Sequence, residues 1–128
     1  MQCSPTDYII LVLLHTMQTT LQSRSIDDDE RKNAILEMIS DKYCRTILEV
    51  TMDKPKSAIE IANETKIPIS TVYRRLQDLT DNRLLRISGT ISNEGKKYFL
   101  YKSKVKEIST TVNGNYIELQ IVPNYAKK

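Results

Sequence analysis

The side chains with the clearest chemical potential lie between residues 70 and 97. A helix predicted over Ser70–Arg83 places an apolar stripe, Val72, Leu76 and Leu79, on one side, because successive helical residues are rotated by about 100°. The remaining surface is polar, and arginine and glutamine can form paired hydrogen bonds with the edges of guanine and adenine. The candidate base-contacting residues are Ser70, Thr71, Tyr73, Arg74, Arg75 and Gln77.

A second group of candidate residues follows in a predicted hairpin. The stretches Leu84–Ile91 and Lys97–Lys102 alternate as strands do, and they flank a loop that contains Gly95. Lys96 and Lys97 lie just past that glycine, where their ammonium groups could bind phosphates or enter a minor groove. The hairpin region Ser92–Lys97 is therefore a candidate contact for a nucleic-acid backbone.

The charge of the chain is unevenly distributed. The 128 residues carry a formal net charge of +3, but residues 26–53 carry −4 and residues 54–128 carry +7. Between Lys66 and Lys106, ten basic residues stand against three acidic ones. This distribution fits a polyanionic partner, and it also fits a basic face that is simply solvated.

The elements that would position these residues are mostly helices. Turn and capping signals predict helices over Pro5–Gln22, from the Ser25–Glu30 cluster, from Ser40-Asp41 to Met52, and over Ala58–Glu64 with Ser57 as cap. Asn113-Gly114 predicts a second hairpin between Val105–Val112 and Asn115–Val122, with one dry side. The predicted class is mainly α with a small antiparallel β part (α+β), in the order of a winged helix-turn-helix.

The chain divides into three predicted segments. Residues 1–25 form an N-terminal apolar helix, residues 26–103 the winged helix-turn-helix, and residues 104–128 the C-terminal hairpin and tail. The first helix is apolar on nearly all sides between Tyr8 and Leu14. Burial against a second copy would cover it and predicts a homodimer, whereas docking on its own domain is the alternative.

The segment Ser57–Leu79 resembles the helix-turn-helix of ArsR-like winged-helix transcription regulators, particularly archaeal ones. Ile39–Leu48 looks like that family's first core helix, and Asp81–Ile87 and Gly95–Tyr101 look like its strand–wing–strand; the resemblance covers about Glu30–Ser103. It implies a homodimer that binds double-stranded operator DNA and usually represses. By position, the groove-facing residues would be Ser70, Thr71, Tyr73, Arg74 and Arg75, with Lys96 and Lys97 in the wing.

The chain departs from this family at two points. Residues 57–79 contain no cysteine, so the metal sensing of some members is not expected here. Lys66 stands where the family commonly has a glycine between the two helices, which predicts a non-glycine residue at positive φ.

Several functional classes have no support in the sequence. There is no glycine-rich phosphate loop, and the only histidine (His15) and the two cysteines (Cys3 and Cys44) form no metal-binding motif or catalytic pair. We therefore expect no enzyme, no cofactor and no metal. The apolar run Tyr8–Leu14 is shorter than the about 20 residues of a membrane span, and the expected location is cytoplasmic.

Two other interpretations stay open. The basic face could dock an acidic protein partner, which would make the chain a winged-helix interaction module without direct DNA readout. Cys44 could serve a redox-responsive switch, although a buried structural cysteine is the preferred interpretation because cysteine is so often buried.

Overall fold

The computed structural model describes residues 24–91 and 93–125. Its elements are β1 (Arg24–Ser25), α1 (Asp29–Ser40), α2 (Lys42–Val50), α3 (Ala58–Thr65), α4 (Ile69–Asp81), β2 (Leu85–Ile91), β3 (Lys97–Ser103), β4 (Val105–Asn113) and β5 (Tyr116–Pro123). The predicted α+β class is confirmed for these residues, which form four helices and two antiparallel hairpins. The predicted helix Pro5–Gln22 lies outside the described residues.

One apolar core joins the helices to the second hairpin. Each helix contributes a side chain with essentially no exposed surface, for example Ile35, Ile47, Ile61 and Leu76 from α1 to α4. The second hairpin adds Val105, Leu119 and Ile121 to the same cluster. Full burial of one such side chain contributes about 1.5–3 kcal/mol. Residues from the predicted segments 26–103 and 104–128 therefore share a single core.

The two hairpins belong to separate sheets. Strands β2 and β3 pair from Leu85 opposite Ser103 to Ile91 opposite Lys97. Strand β5 lies between β1 and β4, with Ile108 opposite Ile121 and Thr110 opposite Leu119.

The turn between β4 and β5 lies one residue later than the predicted Asn113-Gly114. Asn113 still pairs with Tyr116 in the ladder, and Gly114, at φ 62°, forms the loop with Asn115. The prediction that one face of this hairpin is buried is only partly correct. That face is buried near β1, but Thr110 and Val112, which lie on it closer to the turn, are exposed because no described element covers that end.

Two predicted helix starts are wrong, one by three residues and the other by one. Ser25 does not cap a helix but pairs with Gln120 in β1, because the next residue, Ile26, is buried and donates its N–H to Leu119 O at 3.0 Å. The cap of α1 is Asp28, whose carboxylate accepts the N–H of Glu30 at 3.1 Å. Helix α4 starts at Ile69, one residue before the predicted Ser70, and Pro68 takes the cap position without a side-chain hydrogen bond.

The connection between α3 and α4 follows the local sequence signals closely. Ser57 and Glu60 form a capping box: Ser57 Oγ accepts the N–H of Glu60 at 3.2 Å, and the Glu60 carboxylate accepts the N–H of Ser57 at 2.9 Å. Lys66 ends α3 at φ 65°, in the left-handed region, and donates its N–H to Ala62 O at 2.9 Å. The predicted positive φ at Lys66 is confirmed.

The conformation of Lys66 gives a stability prediction. Lys66→Gly should raise the free energy of unfolding by about 0.5–1 kcal/mol, because glycine adopts positive φ without the Cβ clash. Urea unfolding followed by circular dichroism measures this change. Glu37→Gly, on the exposed side of α1, is the control and should lower the free energy of unfolding by about 0.5–1 kcal/mol. A Lys66→Gly protein as destabilised as the control would contradict the prediction.

Candidate nucleic-acid interface

Helix α4 has one buried side and one exposed side, as its apolar spacing predicts. Val72, Leu76 and Leu79 have at most 1% of their surface exposed. The residues on the other side are exposed or half-buried: Ser70, Tyr73, Arg74 and Gln77 are exposed, and Thr71 is half-buried. Five of the six candidate residues on this helix therefore have side chains that a partner could touch.

The two halves of that exposed side differ in charge. Arg74, in the amino-terminal half, makes no hydrogen bond or ion pair within the described part of the chain. Toward the carboxyl end, Gln77 Nε2 donates to Asp81 Oδ1 at 2.9 Å, and Asp78 adds a second exposed carboxylate. A polyanion would therefore approach the amino-terminal half of α4, since the other half repels it.

Arg75 takes a different place from the one predicted for it. Its Nε donates to Asp41 Oδ2 at 2.7 Å, and its guanidinium carbon lies 5.8 Å from the ring centre of Tyr43. About a quarter of the Arg75 side chain is exposed. Arg75 therefore links α4 to the start of α2, and in this structure it is a positioning residue, unlike its exposed neighbour Arg74.

The Asp41 carboxylate stands at the centre of that link. Burial raises its pKa, but the hydrogen bonds from Arg75 and from the backbone N–H of Cys44 outweigh burial, so the pKa lies below its usual value. The same hydrogen bond raises the pKa of Arg75.

Burial and the neighbouring Asp41 raise the pKa of the Cys44 thiol to about 12. Cys44 is free and buried, as preferred from the sequence, and its thiol stays protonated at neutral pH.

The loop between β2 and β3 carries the second group of candidate residues. Lys96 is exposed there, directly after Gly95, whose φ of 83° lets the chain turn back. Lys97 opens β3 opposite Ile91, at the last pair before the loop. Both lysines therefore lie at the tip of the hairpin, as predicted.

A groove lined with aromatic rings connects α4 to the hairpin, and the sequence analysis did not identify it. This aromatic groove has a volume of about 220 Å³ and is lined by Ser57, Ala58, Ile59, Tyr73, Tyr98, Phe99 and Tyr101. Half of the Phe99 and Tyr73 surfaces are exposed, which is unusual for such large apolar side chains. Burial, and to a smaller extent Tyr73, raises the pKa of Tyr101. The run Tyr98–Tyr101, with three aromatic residues in four, was the available signal.

The described residues also bear on metal sites and membrane-spanning helices. No group of three or more potential metal ligands occurs among them. Nor does any helix in this part of the chain have the length and apolar character that crossing a membrane requires.

No family model matches this chain, and no curated protein shows significant similarity to it. The likeness to ArsR-like regulators therefore rests on the residues of this sequence, and the function has to be argued from the geometry of the surface described above.

The pKa of Asp41 gives a pH-dependent prediction. Asp41→Asn should lower the free energy of unfolding by about 1 kcal/mol at neutral pH, because asparagine still caps α2 but loses the ionic bond to Arg75. Because the folded state lowers the pKa of Asp41, its stabilising effect is complete above the unfolded pKa of about 3.9 and is lost as the pH falls through the lower folded value. The difference between the two proteins should therefore vanish in acid.

Urea unfolding of both proteins at a series of pH values checks this expectation. Asp53→Asn is the control, because Asp53 is exposed and its carboxylate forms no ion pair among the described residues. It should change stability by less than about 0.5 kcal/mol at every pH. If Asp41→Asn lowers the free energy of unfolding by the same amount in strong acid as at neutral pH, the ionic bond does not stabilise the fold.

Proposed function

We propose that this protein is a sequence-specific double-stranded DNA-binding transcription regulator. In this proposal α3 and α4 form a helix-turn-helix and the β2–β3 hairpin is its wing. The observation that carries the proposal is the exposed row on the amino-terminal half of α4, ending at Arg74, beside a hairpin with Lys96 at its tip. The resemblance to ArsR-like regulators adds repression and a homodimer, which the apolar segment of residues 1–25 would join. The composition of the chain adds a cytoplasmic location.

The dimensions of α4 suit a major groove. An α-helix with its side chains is about 10–12 Å wide, and the major groove of B-DNA is about 12 Å wide. The row from Ser70 to Gln77 extends about 10 Å along the helix, which corresponds to about three base pairs. The amino-terminal end of the second helix enters the groove in helix-turn-helix proteins, and here that end lacks acidic residues.

The exposed residues would then have different tasks. Arg74 is placed to form paired hydrogen bonds with a guanine edge, and Ser70 and Thr71 to contact either bases or phosphates. Tyr73 and the aromatic groove offer apolar surface to a thymine methyl or a sugar. Lys96, at the hairpin tip, would bind a backbone phosphate or enter the neighbouring minor groove. Arg75 would act indirectly, by holding α4 in place.

A protein-interaction module is the second candidate function, and the aromatic groove favours it. Exposed rings such as Tyr98 and Phe99 are typical anchors of protein interfaces. In that case the basic residues around the groove would attract an acidic partner. Arg74→Glu combined with Lys96→Glu should then abolish partner binding by repulsion, while the wild-type protein binds no duplex at any salt concentration.

A DNA-binding measurement tests the leading proposal. Selection from a random duplex library, followed by fluorescence anisotropy on the selected site, should give binding that weakens with salt by about 0.9 logarithmic units per neutralised phosphate. Arg74→Ala should reduce the preference for one base pair by about 1–3 kcal/mol. Lys96→Ala should weaken all sequences equally and lower the salt dependence by about one phosphate.

Lys106→Ala is the matched control, because Lys106 is an exposed lysine on β4, outside the proposed interface. Its affinity for the selected duplex should equal that of the wild-type protein. If Arg74→Ala, Lys96→Ala and Lys106→Ala all lose the same affinity for the duplex, the binding is only a nonspecific attraction to the basic chain. The absence of any salt-sensitive duplex binding would overturn the proposal.

A further inference from the structure

A second basic surface lies at the base of the β2–β3 hairpin, away from its tip. It is a cleft of about 400 Å³, which is within the usual range of about 300–1,000 Å³ for small-molecule sites. Four cationic side chains line it, together with neutral ones: Arg31, Arg83, Arg86 and Lys104, then Ile26, Val105, Ile121, Pro123, Asn124 and Tyr125. We call it the basic cleft. Among the described residues, no acidic side chain lines it.

The positive charges of the basic cleft have no carboxylate partners in the described part of the chain. None of the four cations forms an ion pair there. Arg31 donates from Nη2 to Asn82 O at 3.0 Å, but its Nε is buried and has no hydrogen-bond partner among the described residues. An unsatisfied buried donor costs about 1–3 kcal/mol, and more when it is charged. An anion in the cleft would relieve the mutual repulsion of these four cations.

The side chains of the cleft indicate which anion fits. Three of the four cations are arginines, whose planar guanidinium groups bind phosphate oxygens in pairs. Four positive charges balance a ligand with several negative charges, such as a di- or triphosphate. Tyr125, Pro123 and Ile121 provide an apolar wall with one aromatic ring, which suits a planar organic group. We infer that the basic cleft binds a small organic phosphate of nucleotide size.

The basic cleft is separate from the proposed DNA interface. The β2–β3 hairpin has Leu85 opposite Ser103 at its base and Ile91 opposite Lys97 near its tip. These two pairs are six residues apart along each strand, a distance of about 20 Å. Along α4, Arg83 lies beyond the carboxyl end, about 18 Å from the exposed amino-terminal end. A nucleotide in the cleft and a duplex on α4 would therefore occupy different surfaces. The inference about the ligand does not rest on the proposed function.

Isothermal titration calorimetry of the full chain with ATP, pyrophosphate and adenosine tests the inference. The titrations use buffer without divalent cations, which would otherwise neutralise the phosphates. ATP should bind saturably and more tightly than pyrophosphate, and adenosine should bind at least about tenfold more weakly than ATP, because it lacks the charges. Replacing both Arg86→Gln and Lys104→Gln should weaken ATP binding by at least about tenfold. Both residues are exposed, so the fold should be retained.

The double variant Arg74→Gln with Lys96→Gln is the matched control, since it removes the same charge from the other basic surface. Its affinity for ATP should equal that of the wild-type protein, whether or not the protein binds DNA. Three results would overturn the inference: no saturable ATP binding, ATP binding that the cleft variant leaves unchanged, or adenosine binding as tight as ATP. A cleft variant that loses duplex binding, in a protein that binds no ATP, would assign the cleft to DNA phosphates instead.

Discussion

The carboxylate of Asp41 is the interaction that sets how α4 meets the start of α2, above the apolar core that the helices share. Its Oδ2 accepts the N–H of Cys44 at 3.0 Å and Nε of Arg75 at 2.7 Å. The same oxygen therefore caps α2 and holds α4 against it. Because Arg75 faces Asp41, the preceding residue, Arg74, points about 100° away and into solvent. One carboxylate thus separates a structural arginine from an exposed one at adjacent positions in the sequence.

The second hairpin is attached to the helices by a buried charge. Lys32, on α1, is only 8% exposed, and its ammonium group has three neighbours. Its Nζ donates to Ile117 O at 3.0 Å, lies 3.8 Å from Asp29 Oδ1, and is 5.0 Å from the ring centre of Tyr116. Burying a charge is tolerated when such partners replace water. This attachment, together with Leu119 and Ile121 in the core, places the hairpin beside the helices and forms one wall of the basic cleft.

The structure divides the positive charge of the chain into two surfaces. Arg74 and Lys96 belong to the side that carries the exposed row of α4 and the hairpin tip. Arg31, Arg83, Arg86 and Lys104 meet in the basic cleft. Between them, Asp78 and Asp81 occupy the carboxyl half of α4. A net charge of +3 therefore conceals two separate concentrations of positive charge.

The features that depend on neighbouring residues can be predicted from the sequence. The capping box of α3, the turn at Lys66, the apolar stripe of α4 and, to within one residue, the turn at Gly114 all follow from hydrogen bonds and periodicities within a few positions. The features that join distant segments come from tertiary packing and cannot be predicted in this way. The partner of Arg75 is 34 residues away, Ser25 pairs with β5, and the aromatic groove and basic cleft each draw on several elements. Local patterns contain no information about such pairings, because these depend on how the whole core packs.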